Sequence, residues 1–280
     1  MNDKLQIQPG TAQETLIIPL YARKKCGDKF PELYKDPAAA KICDRLDYDF
    51  SELDKKYDTA LYEFGAFEGA MRQLDMMYEI NDYLNSHPNA SIVCLGCGLD
   101  LDPRRCGNQQ NKIFNVDFPD VIAMREELAG TDPRETNIVS DLTDLSWMDQ
   151  VDAHNGAVFY AAGVFHYLKK ENVKAIVLKM TELFPGCRLV FDTVGTLGYK
   201  LMMRVILKKH GMNDFGNLFY TNNAVKDLSS WSDKISVSSK GYMLGYYDMK
   251  LPSIKGIHRL LAKMGDNIMH MQIVKIELLY

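Results

Sequence analysis

The feature that most constrains this chain is a series of short apolar runs that begins near residue 90. Ser91 to Leu95, Lys112 to Val116, Asn137 to Val139, Gly156 to Tyr160 and Arg188 to Phe191 recur at intervals of about twenty to thirty residues, with helical stretches between them. That interval fits a strand, a crossover helix and a returning strand, the unit from which parallel sheets are built. Runs that are apolar throughout suit strands covered on both faces. Ile235 to Ser239 and Met269 to Leu278 read as two further strands that complete the sheet. The expected fold is a doubly wound α/β sheet, whose ligand site lies beyond the carboxyl ends of the strands.

The first ninety residues read differently. They are mostly helical, with breaks expected at Pro19, Pro31, Pro37 and Pro88. From Glu63 to Leu84, the residues Phe64, Phe67, Met71, Leu74, Met77, Tyr78 and Tyr83 fall at mostly helical spacing, which predicts an amphipathic helix packed on the core. After the fifth run, Leu197 to Asn217 reads as an inserted helix plus loop. The insertion, extended to Tyr220, carries Tyr199, Met202, Met203, Phe215 and Phe219, which would roof an acceptor pocket or form a dimer surface. The expected organisation is an N-terminal helical lid over residues 1–88 and an α/β core over 89–280, with the insertion at about 197–220.

Charge and composition narrow the function classes. A formal net charge of -4 argues against a protein dedicated to nucleic acid, which needs a concentrated basic face. The polar start Met1-Asn2-Asp3-Lys4 lacks the apolar run of a secretory signal. The apolar stretches are too short to span a bilayer. Six cysteines are scattered without a disulfide-like framework, so the expected setting is a reducing cytoplasm. Cys94-x-x-Cys97 has no second ligand pair for zinc, and Cys94 should lie inside a strand, where a redox pair would not be. His87, His154, His210, His258 and His270 form no ligand-like cluster. No metal site is expected.

The chemistry should sit where the first run ends, in Leu95-Gly96-Cys97-Gly98-Leu99-Asp100. Two glycines permit unusual backbone angles and close approach of a ligand. About twenty residues on, the next run ends at Asp117, where a ribose-binding carboxylate belongs. Such a turn serves nicotinamide cofactors and S-adenosylmethionine alike. A dinucleotide fingerprint needs a third glycine for close helix packing, and that position is Leu101. Asp100 and Asp102 would repel a pyrophosphate and tolerate a sulfonium or ammonium. The charge pattern therefore favours S-adenosyl-L-methionine. The third run ends Val139-Ser140-Asp141-Leu142, an acid and an apolar residue suited to an adenine amino group and ring face. The fourth leads to His166 and Tyr167, and the fifth ends at Asp192.

Several of these segments together resemble the leucine carboxyl methyltransferase family, and within it the polyketide O-methyltransferase type. They are Ile18-Pro19-Leu20-Tyr21-Ala22-Arg23, Arg45-Leu46-Asp47-Tyr48-Asp49-Phe50, Leu95 to Asp100, Val116-Asp117-Phe118-Pro119-Asp120-Val121, Gly163-Val164-Phe165-His166-Tyr167-Leu168 and Phe184-Pro185-Gly186. The likeness covers roughly residues 15 to 195. It implies a Rossmann-like class I methyltransferase fold and S-adenosyl-L-methionine as methyl donor. It also implies that Arg72 pairs with the carboxylate of the methionine portion, through an Arg fork. By the same likeness Gly96 and Gly98 line that portion, Asp117 holds the ribose, Asp141 with Leu142 contacts adenine, and Arg23 reaches in from the N-terminal lid. Two departures stand out. Relatives continue the glycine turn as Asp-Thr-Arg, where this chain has Asp100-Leu101-Asp102 with Arg104 and Arg105 displaced. Relatives also carry a glutamate of the donor site where this chain has Ala162.

The expected activity is O-methyl transfer to a small molecule bearing a hydroxyl or carboxylate. A carboxylate acceptor needs no base, whereas a phenol would benefit from one. His166 is the candidate base, and Tyr167 a residue that orients the acceptor or packs in the core. Two other readings stay open: a non-catalytic protein of the same fold that binds S-adenosylmethionine or regulates, motivated by Ala162, and a nicotinamide oxidoreductase, disfavoured by Leu101.

Overall fold

The computed structural model describes residues 4–7, 12–57, 59–210 and 218–280. The chain opens with strand β1 (Leu5–Gln6) and helices α1 (Ala12–Lys29) and α2 (Pro37–Asp44). Strand β2 (Leu46–Asp47) and helices α3 (Ser51–Tyr57) and α4 (Ala60–Ser86) follow. Next come β3 (Ser91–Leu95), β4 (Ile113–Asp117), α5 (Pro119–Ala129), β5 (Glu135–Val139), β6 (Ala157–Ala161), α6 (Lys170–Leu183) and β7 (Arg188–Thr193). The chain closes with α7 (Thr196–His210), α8 (Ala224–Leu228), β8 (Ile235–Gly241), α9 (Gly256–Asn267) and β9 (Gln272–Leu278).

Strands β3 to β9 form one sheet in the order β5-β4-β3-β6-β7-β9-β8. β3 to β7 are parallel, and β9 runs antiparallel to both of its neighbours. The chain leaves β3 to build one half of the sheet and returns to β6 on the other side. The crevice at that reversal is where ligands bind in open α/β sheets.

The uniformly apolar strands have a direct cause. Ile92 and Cys94 enter one core with Phe67, Ala70 and Met71 of α4 and Ile122 of α5. Val93 and Leu95 enter a second core with Ile176, Val177 and Met180 of α6. Alternate residues face opposite sheet surfaces, so a strand covered twice is apolar at most positions; the buried Asn115 of β4 is an exception, and it donates to Asn137 Oδ1 at 3.0 Å. The edges show the contrast. β5 and β8 are only partly buried, and Glu135, Asn137, Ser236 and Ser238 sit among their apolar residues.

One expectation for the N-terminal region needs adjustment. Pro19 does not break the chain; it lies inside α1, which continues to Lys29. A proline inside a helix removes one hydrogen bond and crowds the preceding turn, at a cost of about 3 kcal/mol or more. Ile17 and Leu20, on either side, are fully buried, and their packing holds the helix together. Pro37 instead starts α2 beneath the Asp36 cap, whose side chain accepts from the Ala39 N–H. The predicted amphipathic helix is α4. Beyond β7, α7 supplies the inserted helix, while residues 211–217, with Phe215, lie outside the described residues.

Candidate functional site

The carboxyl edge is built around the turn after β3. Gly96 and Gly98 have φ of +67° and +47°, a region that strains residues with a side chain. The N–H groups of Gly96 and Cys97 both donate to the Val116 carbonyl, at 2.8 and 3.2 Å. Gly98 N–H donates to Oδ2 of Asp117 at 2.8 Å, while Oδ1 accepts from the Phe118 N–H at 2.8 Å. Burial raises the Asp117 carboxyl, and these two N–H donors oppose the shift. The bare Cα of Gly96 is what lets Val164 close onto the turn: a Cβ there would lie 2.6 Å from Val164 Cγ2.

The acids that follow the turn point away from the role expected of them. Asp100 Oδ2 accepts from the Tyr160 hydroxyl at 3.0 Å, and Oδ1 from the Asp102 N–H at 2.9 Å. Asp102 is paired with Arg105 and accepts from the Tyr34 hydroxyl at 3.2 Å. Both acids are buried, so they brace the turn internally instead of presenting charge to a ligand. Burial beside Asp100 and Asp36 pushes the Asp102 carboxyl up to about 7. Arg104 also serves the scaffold, with Nε and Nη2 on the two oxygens of Glu135 at 3.0 and 2.6 Å. Buried Arg125 donates to the Gly98 and Asp100 carbonyls from behind.

Arg23, expected to reach into the site from the N-terminal lid, lies against the back of the glycine turn. Its Nε donates to Asp36 at 2.9 Å and its Nη2 to the Leu99 carbonyl at 3.2 Å, and the side chain is buried. Through these two contacts Arg23 props the turn from the helical side. Leu101 is followed by a four-residue 3-10 turn, Asp102–Arg105, and not by an α-helix. A pyrophosphate would find neither the third glycine nor the helix start that normally receives it.

The other half of the edge gathers around Arg72 on α4. Its Nη1 stands 3.5 Å from Asp192 Oδ2, at the end of β7. Asp192 Oδ1 accepts from the Gly163 N–H at 2.5 Å, which ties the loop after β6 to the same point. A Cβ at Gly163 would fall 2.6 Å from Arg72 Nη1, so the guanidinium lies directly over that loop. Arg72 Nε is buried and has no hydrogen-bond partner among the described residues. His166 is buried in the 3-10 turn Phe165–Tyr167. Burial pushes its imidazole down to about 4, with Asp192 opposing the shift and Arg72 reinforcing it. The ring of Tyr167 lies 4.3 Å from that of His166 and is largely exposed.

Asp141 and Leu142 follow β5, beside the Asp117 end of β4. Strand register pairs Asp117 with Val139, and the Ser140 N–H donates to the Asp117 carbonyl at 3.0 Å. Asp141 Oδ1 accepts from the N–H and hydroxyl of Thr143, both at 2.8 Å, and its Oδ2 has no partner among the described residues. Leu142 is buried. Phe118 and Val139 are 51% and 53% exposed, so apolar surface lies open between the two acids. Asp117 and Asp141 therefore share one open edge.

The glycine turn, Asp117, Arg72 and the place of Asp192 at the end of the fifth run were foreshadowed in the sequence; Glu68 and Tyr242 beside them were not. Glu68 precedes Arg72 by one helical turn, so spacing alone pairs them. Tyr242 comes from beyond β8, and no local pattern announces it. A cavity of about 180 Å³ among the N-terminal helices, lined by Cys26, Phe30, Tyr57 and Glu63, shares no lining residue with this edge.

The architecture is that of the Rossmann-like methyltransferases. It superposes on a candidate methyltransferase from Thermobifida fusca with a TM-score of 0.61, at 14% identity, over 98% of this chain and 100% of that one. A DUF574-family protein from Streptomyces avermitilis superposes with a TM-score of 0.59 at 11% identity, over 94% and 96% of the two chains. The chain belongs to the leucine carboxyl methyltransferase family, whose sequence profile matches residues 21–181. That family uses S-adenosylmethionine as methyl donor. The chain is 28% identical over 182 residues to the tetracenomycin polyketide synthesis O-methyltransferase TcmP of Streptomyces glaucescens; the match spans 65% of each chain. It is 24% identical over 222 residues to the S-adenosyl-L-methionine-dependent methyltransferase dpfgK of Gibberella zeae, over 74% of each.

Proposed function

We propose that this protein transfers the methyl group of S-adenosyl-L-methionine to an oxygen of a small molecule at the carboxyl edge of β3, β4 and β6. The observation that carries the reading is the orphaned, buried Nε of Arg72, held over the β6 loop and beside the Asp192 carboxylate. A guanidinium donor left unmatched within the protein suits a ligand carboxylate, which accepts two parallel hydrogen bonds from an Arg fork.

In this reading Arg72 holds the methionine carboxylate and Gly96 and Gly98 meet the methionine portion along the main chain. Asp117 receives the ribose hydroxyls on the lone pairs its two N–H contacts leave free. Asp141 takes the adenine amino group, with Leu142 beneath the ring, and Phe118 and Val139 supply apolar cover beside it. The donor, when bound, supplies a methyl carried on a cationic sulfur. The protein's contribution is to position the acceptor oxygen in line with that methyl and to exclude water.

His166 at about 4 is neutral at neutral pH and weakly basic. Taking a proton from a phenol of ordinary pKa near 10 would be uphill by roughly 8 kcal/mol. That favours an acceptor that arrives already ionised, a carboxylate or an acidic hydroxyl, with His166 and Tyr167 placing it. Arg23 keeps the glycine turn in shape. The helices before β3 serve as the lid, and α7 is the candidate roof of the acceptor pocket. A cytoplasmic location suits the reduced, buried cysteines. Pairing of two copies through α7 belongs to the same reading.

Titration calorimetry with S-adenosylhomocysteine and with NADH tests the donor. The expected result is tight binding of the first, lost in Arg72→Ala, and none of the second. NADH binding in its place would overturn the reading in favour of an oxidoreductase. Donor binding without turnover across carboxylate and phenol acceptors would favour the non-catalytic alternative, for which Ala162 is the motive.

A further inference from the structure

Arg72 answers only one of the two charges at the amino-acid end of the donor. The methionine portion carries an ammonium on the same carbon as its carboxylate, so the group that answers the ammonium must stand beside Arg72. This step rests on the donor reading above. Two carboxyl groups lie in that corner. Asp192 is 5% exposed and already engaged, by the Gly163 N–H on one oxygen and by Arg72 on the other. Glu68 is different. It is half-buried on α4, its main-chain carbonyl accepts from the Tyr242 hydroxyl at 3.2 Å, and its carboxylate has no hydrogen bond or ion pair among the described residues. At the strand side of the corner Ala162 offers no polar group.

We propose that Glu68 accepts the ammonium of the donor's methionine portion, so that Glu68 and Arg72, one turn apart on α4, clamp both ends of the zwitterion. Side chains four residues apart on a helix lie on one face with Cβ atoms about 5–6 Å from each other. That separation suits two groups that grip substituents of a single carbon. A carboxylate next to an ammonium also offsets the positive charge that the donor's sulfur brings.

The electrostatics of the corner agree. Burial pushes the Glu68 carboxyl up to about 7, with Arg72 of α4 pulling it down and Asp192 of β7 pushing it up; the Tyr242 hydroxyl is the other titratable group facing it. A bound ammonium would draw the carboxyl into its ionised form. Binding of the amino-acid end should then release a proton near neutral pH and tighten as the pH rises.

The test compares Glu68→Gln with the wild-type full chain by calorimetry, using S-adenosylhomocysteine and 5′-methylthioadenosine, which lacks the amino-acid end. The expected result is a roughly ten- to hundredfold loss of affinity for the first and less than about a twofold change for the second. An unchanged affinity for S-adenosylhomocysteine, or an equal loss for both ligands, overturns the proposal. Wild-type protein that binds neither ligand would instead remove the donor reading itself. If Glu68→Gln melts early, the wild-type protein decides alone. Its affinity for S-adenosylhomocysteine must rise between about pH 6 and 8 while that for 5′-methylthioadenosine stays flat. Parallel curves would sink the assignment.

Discussion

Asp117 closes the glycine turn by accepting the Gly98 N–H at 2.8 Å, so the residue read as a ribose ligand is also part of the turn's architecture. The two roles are separable by substitution. Asp117→Ala removes an acceptor from two N–H groups, a loss of about 1–3 kcal/mol when a donor is left unsatisfied. Asp117→Asn keeps the shape but can turn only one acceptor oxygen toward those donors. The expected outcome is weaker S-adenosylhomocysteine binding in both, by tenfold or more (roughly, from that magnitude), with the larger melting-temperature loss in Asp117→Ala. Calorimetry and thermal melts on the two variants check it.

Gly96 faces two separate constraints, and they can be told apart. Its φ of +67° costs a residue with a side chain about 1–2 kcal/mol, and a Cβ would also strike Val164 Cγ2 at 2.6 Å. Gly96→Ala should therefore destabilise by about 2–4 kcal/mol in chemical denaturation. Adding Val164→Ala removes the collision and leaves the backbone cost, so the double variant should recover part of the stability lost in the first. Simple additivity of the two losses would show that Val164 does not pack on the turn in solution.

The low basicity of His166 makes a kinetic prediction. An imidazole at about 4 does not change charge between pH 5 and 8, so it should contribute no inflection there to kcat/KM. With a carboxylate acceptor, His166→Ala should lower kcat by less than about tenfold, because no proton has to be removed. A steep loss of kcat together with a vanished acid limb near pH 6 to 7 would restore the histidine as a general base.

What the sequence disclosed, and what it hid, divides along physical lines. Interior strands were legible because coverage on both faces leaves few polar positions to blur them, as the run Ile92 to Leu95 of β3 shows. The edges were less so, since Glu135 and Asn137 interrupt the apolar run of β5 and its first residues went unread. The glycine turn was legible because φ and close approach both demand glycine. The acids after it misled: charge in a loop suggests exposure, yet Asp100 and Asp102 are buried against Tyr160, Tyr34 and Arg105. Arg23 is a similar case, since its partner Asp36 and the Leu99 carbonyl lie at distances in sequence that no local pattern measures. The corner of Arg72, Asp192 and Tyr242 joins α4, β7 and the segment after β8, and only the folded sheet brings them together.

Asp75, fully buried on α4, supplies the last prediction. Neither of its carboxyl oxygens has a hydrogen-bond partner among the described residues, and the charged groups facing it are Glu79 of its own helix, Asp266 of α9 and Lys240 of β8. Burial, with Asp266 and Glu79 adding to it and Lys240 opposing, pushes the carboxyl up to about 9. A carboxyl held protonated in the folded state binds its proton more tightly than the unfolded chain does. Its contribution to stability is therefore complete below the ordinary value of 3.8 and is lost as the pH climbs toward 9. Across that window it should drain up to about 1.4 kcal/mol for each pH unit. Asp75→Asn keeps the shape and cannot ionise. The variant should show a flatter stability profile in urea denaturation between about pH 5 and 8.5, and should be the more stable protein at the upper end. Superimposable profiles would mean that Asp75 finds a proton partner or solvent in the folded protein, and that the carboxyl is not held neutral against α9.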